Sequence, residues 1–376
     1  MAGLLDRILS QLSSHWKVRR TPRSKRAYHC DCGRLTFFLD HKCPNCGGAL
    51  GYEPDIGDLR SLTAGTLPET WRPSGDDIEQ DYRRCANLQT PAACNWLVPV
   101  SEENNRCLAC RLNRELPDLE DADNQRYWRS VERGKRRLIS QLIGLDLPIV
   151  SRQEDPKAGL AFDLLRSSAN GPPVLTGHAG GVITINIEEA DDAKREQIRA
   201  AFNEPYRTLL GHFRHEIGHY YWDRLIWNTQ WLEPFRELFG DERADYSEAL
   251  KANYEGRLPP DWPQHFISRY ASCHPWEDWA ETWAHYLHIV DSLDTAVSHG
   301  LQIDVFELKV GQFSLKDLYD PTHPDAERSL YLLNCWIEMI GVLNRLARSL
   351  GQPDFYPFEM PKAVVKKLHF ISLVIG

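Results

Sequence analysis

The chain has 376 residues, enough for a catalytic domain with small appended modules or for two domains. Hydrophobic residues make up 42% and charged residues 26%, an ordinary globular balance, and twelve tryptophans imply a large aromatic core or an aromatic-lined cleft. A net charge of −9 argues against a whole-surface nucleic-acid binder, and no stretch approaches the roughly 18 apolar residues needed to cross a bilayer.

Residues 1–28 form a basic arm. Arg7, Lys17, Arg19, Arg20, Arg23, Lys25 and Arg26 stand there against Asp6 alone, the composition of a solvated segment able to touch an acidic partner or nucleic acid weakly. Leu4, Leu5, Ile8, Leu9 and Leu12 fall at helical spacing with charges inside the run, so the start reads as a short amphipathic helix and not as a secretory signal.

Residues 29–54 carry Cys30-Asp-Cys32-Gly and Cys43-Pro-Asn-Cys46-Gly-Gly. Each close pair offers two thiolates to one ion, the glycines permit the turns, and so short a stretch buries too little core to fold unaided. A structural zinc ribbon is expected. Residues 55–120 are rich in Pro, Gly, Asp and Asn and show little periodicity. Cys85, Cys94, Cys107 and Cys110 lie in this segment, and only Cys107-Leu-Ala-Cys110 has close spacing; a second four-thiolate zinc is the preferred reading. Eight of the ten cysteines thus precede residue 111, mostly in close pairs, a pattern of metal ligation in a reducing cytoplasm; Cys273 and Cys335 are isolated and expected to be buried.

From about residue 121 the chain becomes helix-compatible. Trp128, Val131, Leu138 and Leu142 share one helical face between Tyr127 and Leu142. Ile183, Ile185 and Ile187 alternate with Thr184 and Asn186, the pattern of a half-buried strand. Asp191-Asp192 opens a helix to about Phe202, Pro205 opens the next to about Trp227, another follows Pro275, and more helix fills Ser329 to Leu350.

The helix expected after Pro205 contains His215-Glu216-Ile217-Gly218-His219. Histidines four residues apart differ by about 40° in direction, so their imidazoles converge on one point, which suits zinc bound by neutral nitrogens. Glu216 then lies beside the ion, placed to take a proton from the water that zinc activates. Gly218 allows another element to approach closely. A third ligand is still required. Glu277 and Glu281 share one face of the tryptophan-rich segment after Pro275; one can bind the metal while the other holds a ligand histidine. His274, His285 and His288 are alternative third ligands, and Asp223 is placed to orient His219.

A strand, an HExxH helix and a second helix bearing ExxxE resemble the gluzincins. The stretches CDCG…CPNCG, CNWLVP, CLACRLNRELPDL, LLGHFRHEIGHYYWD and HPWEDWAETWAHYLH look more specifically like bacterial zinc-binding metallopeptidases with an N-terminal zinc ribbon. The resemblance covers most of the chain and implies an α+β fold: a mainly helical, zincin-like domain over 121–376 with a small edge sheet, preceded by zinc modules at 29–54 and 55–120. It implies Glu277 as ligand, Glu281 as its supporting acid, and Tyr270, seven residues before Glu277, as donor to the developing oxyanion. The Ile183–Ile187 strand would be the edge that pairs with an extended peptide. The expected function is a cytoplasmic zinc endopeptidase acting on protein or peptide substrates, with one catalytic and one or two structural Zn²⁺ ions. A zinc-stabilised scaffold without catalysis, or a protease directed to nucleic-acid-bound proteins by the arm and ribbon, are the alternatives.

Overall fold

The computed structural model describes residues 26–75, 80–168, 171–201, 207–301 and 313–376. The amphipathic stretch and most of the basic arm lie outside them, as does Pro205. Arg26 is described and is not solvated: it is 5% exposed, and its Nη1 donates to Ser140 Oγ at 3.3 Å. The chain divides into two compact units, Met1–Glu196 with Val297–His299, and Gln197–Ala296 with Gly300–Gly376.

The first unit is built on small sheets. A two-stranded ribbon pairs β1 (Tyr28–His29) with β2 (Leu35–Thr36). An antiparallel meander follows in chain order: β3 (Leu50–Glu53), β4 (Asp58–Ala64), β5 (Trp71–Pro73), β6 (Tyr82–Arg84) and β7 (Leu97–Pro99). One sheet therefore spans both expected segments, with β3 in 29–54 and β4 to β7 in 55–120, and the segment expected to lack periodicity holds most of it. Strands of three residues are too short for a period-two alternation to register in sequence.

Helix α1 (Ala122–Gly144) starts where the Asp121 carboxylate accepts the Asp123 and Asn124 amides, and it buries Trp128, Val131, Leu138 and Leu142 as their spacing requires. The Ser140 hydroxyl meets Tyr52 Oη at 2.7 Å, joining the meander to this helix.

A second, mixed sheet has the order β10-β11-β9-β8, with β8 (Asn113–Glu115), β9 (Ala161–Leu165), β10 (Gly177–Ala179) and β11 (Val182–Asn186). Ile183 and Ile185 are buried while Thr184 and Asn186 are half-exposed. The strand is nonetheless interior and not an edge: β9 lies parallel on one side and β10 antiparallel on the other. The reason is local. Gly180 and Gly181, at φ +53° and +86°, form a two-residue turn that folds β10 back over the flank expected to be free.

Helix α2 spans Asp192–Ala201. The second unit is helical: α3 (Leu209–Leu225), α4 (Leu232–Phe239), α5 (Tyr246–Tyr254), α6 (Pro275–Ser298), α7 (Ala326–Ser349) and α8 (Lys362–Ile375). Helix α3 begins at Leu209, later than expected, because the Thr208 hydroxyl caps it by accepting the Gly211 amide at 3.0 Å. The core of this unit joins Leu293, Trp336, Met339, Tyr356, Val365 and Leu368 from α6, α7, α8 and the loop between the last two. Among the described residues, no helix is long and apolar enough to cross a membrane.

Candidate metal centre

The Gln197–Gly376 unit brings α3 and α6 into close contact along the face that carries the candidate ligands. Gly218 makes this possible: a Cβ there would lie 3.0 Å from Ala280 Cα and 3.2 Å from Trp283 Cβ. The same contact lets Trp279 Nε1 donate to the Gly218 carbonyl at 2.8 Å. Two further bonds lock the pair. Arg214 Nη2 donates to Asp291 at 2.7 Å, and His215 Nδ1 meets Glu281 Oε1 at 2.8 Å.

With Nδ1 donating to Glu281, the His215 lone pair sits on Nε2. That atom lies 3.2 Å from His219 Nε2 and 3.0 Å from Glu277 Oε2, and Glu277 Oε2 is 3.6 Å from His219 Nε2. Three electron-pair donors thus crowd one point, and Glu277, 1% exposed, has on Oε2 a buried oxygen that accepts no hydrogen bond among the described residues. Such a cluster is repulsive unless a positive charge sits within it. The imidazoles and carboxylates also shift one another in the directions of an ion pair. Burial depresses the His215 imidazole, yet Glu277 and Glu281 outweigh it and hold it well above the usual histidine range. Burial raises Glu277, and His219 and His215 outweigh that, drawing it well below the usual carboxylate range. The donor set, two imidazoles and one carboxylate, fits zinc.

Glu216 is 8% exposed, and burial lifts its carboxyl despite the nearby histidines. The Tyr270 ring centre is 5.8 Å from that of His215, and burial raises its phenol well above the usual value. The three spare histidines are engaged elsewhere: His274 with the Ala244 carbonyl and the Trp276 amide, His285 with Tyr356 Oη at 2.6 Å, and His288 with Arg214 at 2.6 Å. Asp223 is exposed. Cys273 is partly exposed and Cys335 buried.

Two residues at this centre went unnoticed in the sequence. Tyr246, from α5, donates its hydroxyl to Glu277 Oε1 at 2.6 Å, and Ser268, in the loop before α6, donates to Glu281 Oε2 at 2.6 Å. Neither lies in a motif; the contacts span 31 and 13 residues, so no local signal exists to find them.

In the first unit the cysteines gather in two groups, Cys30, Cys32, Cys43 and Cys46, and Cys85, Cys94, Cys107 and Cys110, with ligand atoms in each within 4.8 Å of one another. Sulfur separations of 3.6 Å for Cys30–Cys46, 3.7 Å for Cys32–Cys43 and 3.6 Å for Cys94–Cys107 are too long for disulfides. They match the edge of a zinc tetrathiolate, about 3.8 Å for bonds of about 2.3 Å. The second group is fully buried, and so is Arg136 from α1. Arg136 Nη2 donates to the Ala92 carbonyl at 3.1 Å, and its Nε and Nη1 find no acceptor among the described residues. Burial works against this charge, and Cys94, Glu132, Cys110 and Cys107 sustain it. A buried guanidinium that interacts with Cys94, Cys107 and Cys110 is the counter-charge that a dianionic tetrathiolate would need.

Two four-thiolate clusters and a helix pair with two histidines and an acid are the donor sets of a zinc-binding protein. The chain belongs to the family described as "Putative zinc-binding metallo-peptidase", whose model matches residues 124–374, and a zinc-ribbon domain model matches residues 27–121. It is similar to uncharacterised proteins of Mycobacterium tuberculosis (strains H37Rv and CDC 1551) and Mycobacterium bovis, each 43% identical over 352 residues, 93% of this chain and 95% of the relative. No solved structure matches.

Proposed function

We propose that the chain is a zinc-dependent endopeptidase in which His215, His219 and Glu277 hold the catalytic ion. The observation that carries this reading is the meeting of His215 Nε2 and His219 Nε2 from α3 with Glu277 Oε2 from α6, all within 4.8 Å of one another, with Glu216 next to His215 on α3. Bound zinc supplies an acidified water and polarises the scissile carbonyl. The protein does the rest. Glu216, one residue from His215 and raised by burial, takes the proton of the attacking water and returns it to the leaving amine. Glu281 fixes the tautomer and ring direction of His215 through Nδ1. Tyr270, beside His215 and held protonated by burial, donates to the oxygen on which charge develops. The substrate is a protein or peptide, and the cysteine clusters carry one structural ion each. Cysteines in metal-like clusters without disulfides favour a reducing compartment such as the cytoplasm.

The test is Glu216→Gln, isosteric but unable to act as a base. It keeps the fold and the full metal content and loses hydrolysis by at least 10²-fold, about the lower range for a positioned general base. Cleavage profiling across a whole proteome, wild type against variant, reads this with no substrate chosen in advance. Equal cleavage by both would sink the mechanism; no cleavage by either would favour the non-catalytic scaffold.

A further inference from the structure

Glu277 has two carboxylate oxygens, and the fold treats them differently. Oε2 faces His215 Nε2 at 3.0 Å and His219 Nε2 at 3.6 Å. Oε1 accepts the Tyr246 hydroxyl at 2.6 Å. Tyr246 is the first residue of α5, whose cap, the Asp245 carboxylate, accepts the Glu248 amide at 3.0 Å. Its ring meets His274 edge-on, with centroids 5.2 Å apart and planes at 83°. His274 is itself fixed at both nitrogens, by the Ala244 carbonyl and the Trp276 amide. The phenol is therefore held from its backbone and from its ring, and it bonds the oxygen of Glu277 other than the one that meets the histidines.

A carboxylate free at both oxygens can pivot about its Cγ–Cδ bond and offer both to one ion, taking a coordination position that hydrolysis requires for water. We propose that Tyr246 is a positioning residue that restricts Glu277 to donation through Oε2 alone. The proposal rests on the reading that His215, His219 and Glu277 hold zinc. Ser268 provides an internal comparison. It holds the other acid, Glu281, and reaches the metal point only through His215, so its loss disturbs ligand orientation without freeing an oxygen of Glu277.

The experiment uses the full chain with its cysteine-bound zinc retained. The chelator-labile ion is removed and replaced by Co²⁺ in wild type, Tyr246→Phe and Ser268→Ala. Tyr246→Phe keeps the ring on His274 and deletes one oxygen atom; an unchanged circular-dichroism spectrum in the far and near ultraviolet confirms its fold. Loss of an outer hydrogen-bond partner weakens metal retention by about 10–100-fold, and both variants are expected in that range. Only Tyr246→Phe is expected to change the cobalt spectrum, with weaker visible bands as the second oxygen of Glu277 joins and the coordination number rises. A Tyr246→Phe centre with the wild-type spectrum overturns the proposal whether or not affinity falls, because the phenol would then only brace a helix. Cobalt uptake by wild type at this centre, lost in His215→Ala, leaves the zinc reading standing in that event. Failure of wild type to take cobalt there overturns both.

Discussion

Gly218 occupies a position where one methyl group decides the geometry of the centre. Alanine there would gain about 1 kcal/mol of helix propensity over glycine. Against that, its Cβ would sit 3.0 Å from Ala280 Cα, a backbone atom that cannot swing aside, and overpacking of this kind costs about 1–3 kcal/mol. The clash wins. Gly218→Ala is expected to lower stability by up to about 2 kcal/mol in denaturant unfolding and to spread α3 from α6, loosening the labile metal as well. A variant as stable as wild type with undiminished metal retention would mean that the helices have slack the structure does not display. The glycine was legible in sequence as a place of close approach. What approached it was not, since Ala280 and Trp283 lie more than sixty residues away.

At the scale of elements, the C-terminal helix α8 is tied to the ligand helix by a buried ion pair. Lys367 Nζ donates to Asp278 Oδ2 at 2.6 Å and to the His265 carbonyl at 2.9 Å, with the lysine and aspartate side chains 5% and 0% exposed. Burial pushes the Asp278 carboxyl up to about 7, and Lys367 works against that rise. Asp278 adjoins Glu277, so the bond also steadies the first turn of α6. Replacing Lys367 by methionine leaves a buried carboxylate without its cation, a change that costs about 3–5 kcal/mol in comparable sites. The expected outcome is a lowered unfolding midpoint in Lys367→Met. A loss below about 1 kcal/mol would show that packing of Val364, Val365, Leu368 and Ile371, not the ion pair, seats α8. Helices α1, α2, α3, α6 and α7 could be read from periodicity and caps. Helices α4, α5 and α8 could not. The first two are about two turns long, and α8 is apolar on most of its surface, which blurs any amphipathic stripe.

For the whole molecule the three clusters differ in how they would hold an ion. The Cys85 group is fully buried and interacts with Arg136; the Cys30 group has Cys32 and Cys46 exposed; the histidine centre offers three protein ligands among the described residues. Three zinc ions per chain are therefore expected by elemental analysis. A mild chelator should release the histidine-bound ion first, the Cys30 ion only under stronger chelation, and the Cys85 ion last, with unfolding of the first unit. Two ions per chain, or release of cysteine-bound zinc ahead of the other, would contradict this ordering.

The chemistry on offer was legible from the residue order alone: eight cysteines in two groups, two histidines one helical turn apart with an acid beside them, and an ExxxE face on a second helix. These are short-range patterns, set by the 3.6-residue period and by turn glycines, so they hold whatever the rest of the chain does. Folding alone settled which oxygen of Glu277 meets the histidines, that Tyr246 and Ser268 hold the two acids, that Arg136 interacts with the buried thiols, and that β11 is an interior strand. Each of these depends on groups brought together across long stretches of chain, or on a two-glycine turn that covers an edge. Close packing selects such contacts, and no local pattern records it.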